Sequence, residues 1–167
     1  MPEIPYASLG FVGFVKFETN PTFGVRATSC DLKLTQAIEK PETVTGKFDR
    51  TVYKLGPKEV GGTITFPAIL ETAGGGTTQV MDLLWNLAVN RQTSGRLLDF
   101  DAVVKYAADN STFRFERNMI NSFKWSVTQG DLVNVDIDVV GRKRSQTTSA
   151  TPTYDTRNTR AATWADV

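Results

Sequence analysis

The stretch Ser122-Phe123-Lys124-Trp125-Ser126-Val127-Thr128-Gln129-Gly130-Asp131-Leu132-Val133-Asn134-Val135-Asp136-Ile137-Asp138-Val139-Val140 mirrors itself about Gln129-Gly130-Asp131. Strict alternation of apolar and polar residues is the period of an extended strand, and Gly130 with its polar neighbours supplies the turn chemistry. A three-residue turn sets Val127 against Val133, Trp125 against Val135 and Phe123 against Ile137. The same register sets Ser126 against Asn134, Lys124 against Asp136 and Ser122 against Asp138. A two-residue turn would mix the two sets, because shifting an antiparallel pair by one residue turns every side chain over. The segment is therefore read as a hairpin with one apolar and one polar face. The opposite charges of Lys124 and Asp136, facing each other across the strands, are expected to add about 0.2–1 kcal/mol.

Working outward, Phe100, Ala102, Val104 and Tyr106 alternate with Asp101, Val103 and Lys105, and Asp109-Asn110 marks a turn into Thr112-Phe113-Arg114-Phe115-Glu116-Arg117, a second hairpin. The mixture of Phe113, Arg114, Phe115 and Arg117 has the residue types of an RNA-binding strand, but Glu116 dilutes the charge and alternation of core and surface accounts for it. Upstream, Gln79 to Asn90 is the one helical pattern, with Val80, Leu84 and Leu87 on one face, Trp85 widening it and a threonine N-cap. The preceding Gly74-Gly75-Gly76 lacks the lysine and spacing of a phosphate-binding loop and reads as a flexible entry to the helix. Gly61-Gly62-Thr63-Ile64-Thr65-Phe66-Pro67 reads as a strand ended by proline.

Nearer the N-terminus, Gly10 to Glu18 is aromatic and β-branched, Thr19-Asn20-Pro21-Thr22 reads as a turn, and a second strand runs from about Phe23 to Gln36. Cys30 falls with Leu32 and Leu34 on the apolar side of that strand and reads as a small buried hydrophobe, with an intersubunit disulfide or a reactive thiol as the alternatives. Residues 37–62 have poor periodicity and collect glycine, proline and mixed charge, so a long loop is expected, within which Phe48, Val52, Tyr53 and Leu55 need a surface to cover. Beyond Gly141-Arg142-Lys143-Arg144 the chain turns Ser-, Thr- and Asn-rich and reads as an arm, on which Trp164 is placed to anchor to a neighbouring subunit. The organisation expected is a single strand-rich domain over 1–143 and a polar arm over 144–167.

Composition removes most catalytic chemistry. The 167 residues contain no histidine and one cysteine, which excludes histidine-based triads, histidine metal ligands, an intrachain disulfide and cysteine zinc sites. Asp136 and Asp138 stand two apart on one strand, but nothing supplies the contrasting environments that separate the pKa values of an acid–base pair. No cofactor is called for. The formal net charge of +1 offers no global field for nucleic acid or membrane, and no apolar run is long enough to span a bilayer. Met1-Pro2-Glu3-Ile4-Pro5-Tyr6 lacks the basic and apolar stretches of a signal peptide, so synthesis in the cytoplasm is expected.

The order of elements, carried by Gly61 to Pro67, by the helix Val80 to Val89 with Trp85, and by Val133 to Gly141, resembles bacteriophage tail tube proteins over about residues 9–143. The resemblance implies a mainly β fold with one helix, a sandwich or barrel whose sheets join across subunits into six-fold rings that stack as a hollow tube. It implies that Ser122, Lys124, Ser126, Asn134, Asp136 and Asp138 line the channel and let DNA pass without binding. It also implies that a loop at residues 43–60 links stacked rings, making Phe48, Tyr53 and Leu55, together with Trp164, candidates for self-assembly contacts. The implied partners are copies of the chain and other tail proteins: sheath, tape measure, baseplate or terminator. The implied location is the tail of a virion. Three other readings remain at this stage: the inner tube of a bacteriocin or secretion injection system, a monomeric β-sandwich for binding or adhesion, and a nucleic-acid-binding barrel.

Overall fold

A chain that alternates Val, Ile, Thr and Phe with polar residues forms extended segments that each need one face hidden. The computed structural model is built that way, and it describes residues 11–16, 19–39, 54–71, 80–89, 98–105, 112–146, 159–161, 163 and 165. In chain order the elements are β1 (Phe11–Lys16), β2 (Thr19–Arg26), β3 (Ser29–Cys30), β4 (Lys33–Glu39), β5 (Lys54–Pro67), β6 (Ile69–Glu71), α1 (Val80–Val89), β7 (Phe100–Lys105), β8 (Thr112–Ser126), β9 (Asn134–Gly141), β10 (Lys143–Gln146) and β11 (Thr159–Ala161). Nine strands form one antiparallel sheet in the order β2-β1-β7-β8-β9-β5-β3, with β10 also pairing β8 and β4 also pairing β5. The sheet is curled, so apolar residues from its two halves, such as Val12 and Val25 at one end and Ile64 and Ile137 at the other, share a single core. Leu83, Leu84 and Leu87 of α1 close that core.

Strand β8 is the hinge of the architecture. Its first half pairs with β7 on one side and β10 on the other, and its second half pairs with β9. The two hairpins expected as separate units are therefore one meander through a 15-residue strand. Two irregularities bend it, one opposite the step from Phe100 to Ala102 and one between Ile120 and Ser122. At the first, Arg117 has φ 55°, a left-handed conformation that costs a non-glycine residue of order 1–3 kcal/mol. Asp101 holds it there. Its Oδ1 accepts from the Arg117 amide at 3.0 Å and its Oδ2 accepts from the Arg114 guanidinium Nε at 2.9 Å.

Asp101 alternates with Phe100 and Ala102 in the sequence, yet it too is buried, at 2% exposed. Strand β7 lies in the middle of the sheet and is covered on both sides, so alternation carries no exposure there. Beside the same bend, Asn118 is fully buried and its amide Nδ2 donates to the carbonyls of Phe115 (2.6 Å) and Phe100 (3.2 Å). Gly141 opposite leaves room for it: a Cβ there would lie 2.1 Å from Asn118 Oδ1.

The Arg142-Lys143-Arg144 cluster is used within the sheet. Lys143 Nζ sits 3.0 Å from Glu116 Oε2, Ser145 Oγ donates to Glu116 Oε1 at 2.8 Å, and the Arg144 guanidinium lies 3.9 Å above the Phe113 ring. The boundary expected at residue 143 thus falls on a strand that pairs with β8. Further on, β11 pairs with β6 and Thr163 bridges Leu132, so this part of the arm folds back on its own chain.

Other boundaries also moved. The first reversal comes before Thr19, which already pairs with Lys16, and Pro21 lies in the edge strand β2, where its missing N–H is tolerated. The strand expected over 23–36 is broken at Ala27-Thr28 and Asp31-Leu32. The expected long loop is strand at both ends, because β4 reaches Glu39 and β5 starts at Lys54. Its poor periodicity has a physical source: the register slips between Gln36 and Ile38, placing Gly56 and Pro57 in a bulge that resets the alternation.

Two predictions follow from these bonds. Asp101→Ala releases the bent backbone and one ion pair, and a loss of about 2 kcal/mol is expected in urea unfolding, moderated because Arg114 is partly solvated. For Glu116, the hydrogen bonds from Lys143 and then Ser145 hold the carboxyl below its ordinary range. A lowered folded pKa means the contribution is whole above the unfolded value and is lost as pH falls through the folded one. Stability of the native protein should therefore exceed that of Glu116→Gln at neutral pH, and the difference should shrink towards zero as pH is taken below the ordinary glutamate range.

Candidate functional site

The hairpin register read from the sequence is the one present. Ser122 pairs with Asp138, Phe123 with Ile137, Lys124 with Asp136, Trp125 with Val135 and Ser126 with Asn134. Ladder pairing stops there. Val127 and Val133 are not a strand pair, and on its other side the Val133 carbonyl accepts from Ala68 N–H. The turn is Thr128 to Asp131, closed by Asp131 N–H to the Thr128 carbonyl at 3.0 Å, with Gly130 at φ 85° in the position where such a turn needs a positive angle.

All six polar residues singled out in the hairpin share one face, and none of them is buried. Strand β5 extends that face through Thr63 opposite Asp138, Thr65 opposite Asp136 and Pro67 opposite Asn134. The Thr65 hydroxyl donates to Asp136 Oδ1 at 2.7 Å, and Asn121, at the second irregularity of β8, donates to Asp138 Oδ2 at 2.7 Å. Ser29 lies opposite Thr65, and the Thr63 amide donates to the Asp31 carboxylate. The expected ion pair between Lys124 and Asp136 is not made: they face each other in register, but the carboxylate is turned to Thr65. Across this face of β3, β4, β5, β8 and β9, the carboxylates Asp31, Glu59, Asp136 and Asp138 outnumber the ammonium groups Lys33 and Lys124. The polar surface ends at the row of Gly61, Val140 and Met119, where Val140 is 45% exposed.

The sequence reading missed the share of β5 in this surface. The alternation of Thr63 and Thr65 with Ile64 and Phe66 carried the signal, but nothing in one strand says which neighbour it will join. Of the expected self-assembly contacts, Leu55 lies on β5 and is 65% exposed, while Phe48, Tyr53 and Trp164 lie outside the described residues, as does most of the expected inter-ring loop. Cys30 packs partly against the core, and burial pushes its thiol above the usual range, with Asp31 adding to the effect against a hydrogen bond from the Leu32 backbone. Such a thiol is a poor nucleophile. Among the described residues no group of three or more carboxylate or thiol side chains is placed to hold a metal ion, and no helix is long and apolar enough to cross a membrane.

The opposite face is apolar and unevenly covered. Val135, Ile137, Ile64 and Phe66 are buried, yet Trp125 is 53% exposed at the end of the same rows. Trp85 of α1 meets Phe123 edge-on at 6.0 Å, and Phe123 meets Trp125 at 5.8 Å. Trp85 itself is 54% exposed, so it flanks the apolar stripe of the helix and leaves the centre to Leu84 and Leu87.

Solved structures share this fold at low identity. A chain in the 6-fold symmetrised baseplate of the anti-feeding prophage superposes with a TM-score of 0.58 at 8% identity, covering 90% of this chain and 100% of that one. The SPP1 tail tube gives 0.51 at 11% identity over 86% and 79% of the two chains. The cap that terminates the anti-feeding prophage tube gives 0.50 at 10% identity over 89% and 93%. No curated protein sequence matches the chain. The model of the phage tail tube protein family matches residues 8–167, nearly the whole sequence, and the chain belongs to that family.

Proposed function

We propose that the chain is the repeating subunit of a viral tail tube, assembling into six-fold rings that stack around a channel through which DNA enters the host. The observation that carries this reading is the two-faced sheet of β8, β9 and β5, in which threonine, serine, asparagine and aspartate cover one side while the other seals a core. A solvated outer face would need only polarity. This one has its aspartates fixed by Thr65 and Asn121, and among its described residues the carboxylates outnumber the two ammonium groups, Lys33 and Lys124. Lining a channel, Ser122, Lys124, Ser126, Asn134, Asp136 and Asp138 would repel or ignore a polyanion, so that DNA slides without sticking.

In this arrangement α1 lies on the far side of the sheet from the channel, available to a sheath if the tail has one. The segment around residues 43–60, with Phe48, Tyr53 and Leu55, links one ring to the next, and Trp164 anchors the end of the arm. Subunits are made in the host cytoplasm and end in the virion, where tape measure, baseplate and terminator are the remaining partners. The role is mechanical, with no catalysis. The fold shared with the anti-feeding prophage baseplate supports a second reading, the inner tube of an injection particle, distinguished by whether DNA or protein passes through.

Negative-stain electron microscopy over a concentration series, with light scattering, should find rings or hollow tubes; a monomer at every concentration would count against the reading. Once tubes are in hand, Asp136→Lys combined with Asp138→Lys should retain DNA fragments at least about tenfold more strongly than the native tube at low salt, and lose them steeply as salt rises towards about 0.2 M. Equal, weak retention by both would remove these residues from the channel.

A further inference from the structure

The hairpin about Gly130 stops pairing earlier than its residues allow. The alternation that sets Phe123 against Ile137 and Trp125 against Val135 continues to Val127 and Val133, yet the last ladder pair is Ser126 with Asn134. On the other side of β9 the register with β5 also runs on: Pro67 pairs with Asn134, and the Ala68 N–H donates to the Val133 carbonyl at 2.7 Å. One step further, that register sets Ile69 beside Leu132. Neither residue takes the other. Ile69 pairs with Ala161 of β11, and Leu132 is bridged by Thr163, two residues on.

The β11 segment therefore holds both halves of the pair that would extend β9 along β6. Its hold is slight. It is three residues long and joins β6 in a two-stranded sheet apart from the nine-stranded one, and an isolated two-stranded ribbon is marginal in water. While it stays, Val127 is 36% exposed and Leu132 43%, and the tip is closed only by the turn bond from Asp131 N–H to the Thr128 carbonyl. Closing the hairpin would set Val127 against Val133, which is already buried, and a cross-strand apolar pair of that kind adds about 0.2–1 kcal/mol. Thr128 would then oppose Leu132, leaving Gln129-Gly130-Asp131 as the three-residue turn written in the sequence.

From this we infer that β11 with Thr163 is a displaceable latch. The stretch of β6 around Ile69 has two rival partners, β11 and an extension of β9, and the tip of the hairpin is open or closed according to which one holds it. Each state exchanges one short run of backbone pairs for another, so the two lie close in free energy, and anything that binds one of them better shifts the population towards it. The inference concerns a single subunit and does not depend on the tube reading. In the proposed tube the same tip belongs to the polar wall, and the latch sets the shape of that end of it.

The test drives the exchange from both sides in the full chain, on unassembled subunits. Neighbouring N–H groups of a strand point to opposite sides, so Arg160→Pro combined with Ala161→Pro removes whichever donor β11 gives to β6. In NMR spectra of this variant, backbone contacts between Val127 and Val133 and between Ile69 and Leu132, absent from the native protein, should appear, while those between Ile64 and Ile137 persist. In the other direction, Val127→Cys combined with Val133→Cys closes the hairpin on oxidation. Hydrogen exchange at the amides of residues 159–163 should then be at least about tenfold faster than in the reduced form of the same variant. A proline variant whose tip stays unpaired overturns the inference. So does an oxidised hairpin whose β11 amides exchange as slowly as before, or a pair of thiols that will not join. If the proline variant unfolds, the oxidised and reduced forms decide alone. A failure of the protein to form rings or tubes bears on the tube reading and leaves these outcomes unchanged.

Discussion

The fold depends on one buried carboxylate. Asp101 accepts from the Arg117 amide and the Arg114 guanidinium, and those bonds hold the left-handed residue that lets β8 change direction without ending. Because β8 continues, one half-sheet with β1, β2 and β7 and another with β9, β5 and β4 share a strand and curl around one core. Without the bend, the second half of β8 could not lie against β9 while the first half stays between β7 and β10. Asn118 and Gly141 complete the arrangement: the side chain that satisfies two carbonyls at the bend fits only where the facing strand has no Cβ.

That bend also explains what the sequence could disclose. The hairpin about Gly130 was legible to the residue pair from Ser122–Asp138 to Ser126–Asn134, because half-buried antiparallel strands write their register into alternation. The helix was legible within a residue at each end. The unity of β8 was not, since its two irregularities reset the alternation and made one strand look like two. The burial of Asp101 was not legible, because a strand covered on both faces breaks the link between alternation and exposure. The polar face was half legible: the share from β8 and β9 came with the hairpin, while the share from β5 required knowing that residue 63 lies beside residue 138.

From the bend to function the steps are mechanical. A curled sheet with its apolar side shut by α1 leaves its other side to solvent, and here that side carries fixed hydroxyls, amides and a surplus of carboxylates. Some exposed apolar groups, Trp125 on β8 and Ile38 on β4 among them, lie on strands at the margins of the described sheet, while others, such as Val140, lie within it. In the tube proposed above, the polar face is the wall of the channel. Membership of the phage tail tube family fits a chain whose chemistry is spent on shape and surface.

In the proposed tube, the polar side of the sheet faces the channel. A cryo-electron microscopy reconstruction of assembled particles tests this directly. The account predicts Asp136 and Asp138 on the inner wall and α1 on the outside. Particles with α1 or the Trp85–Phe123–Trp125 cluster facing the channel, or with Asp136 buried between subunits, would contradict it.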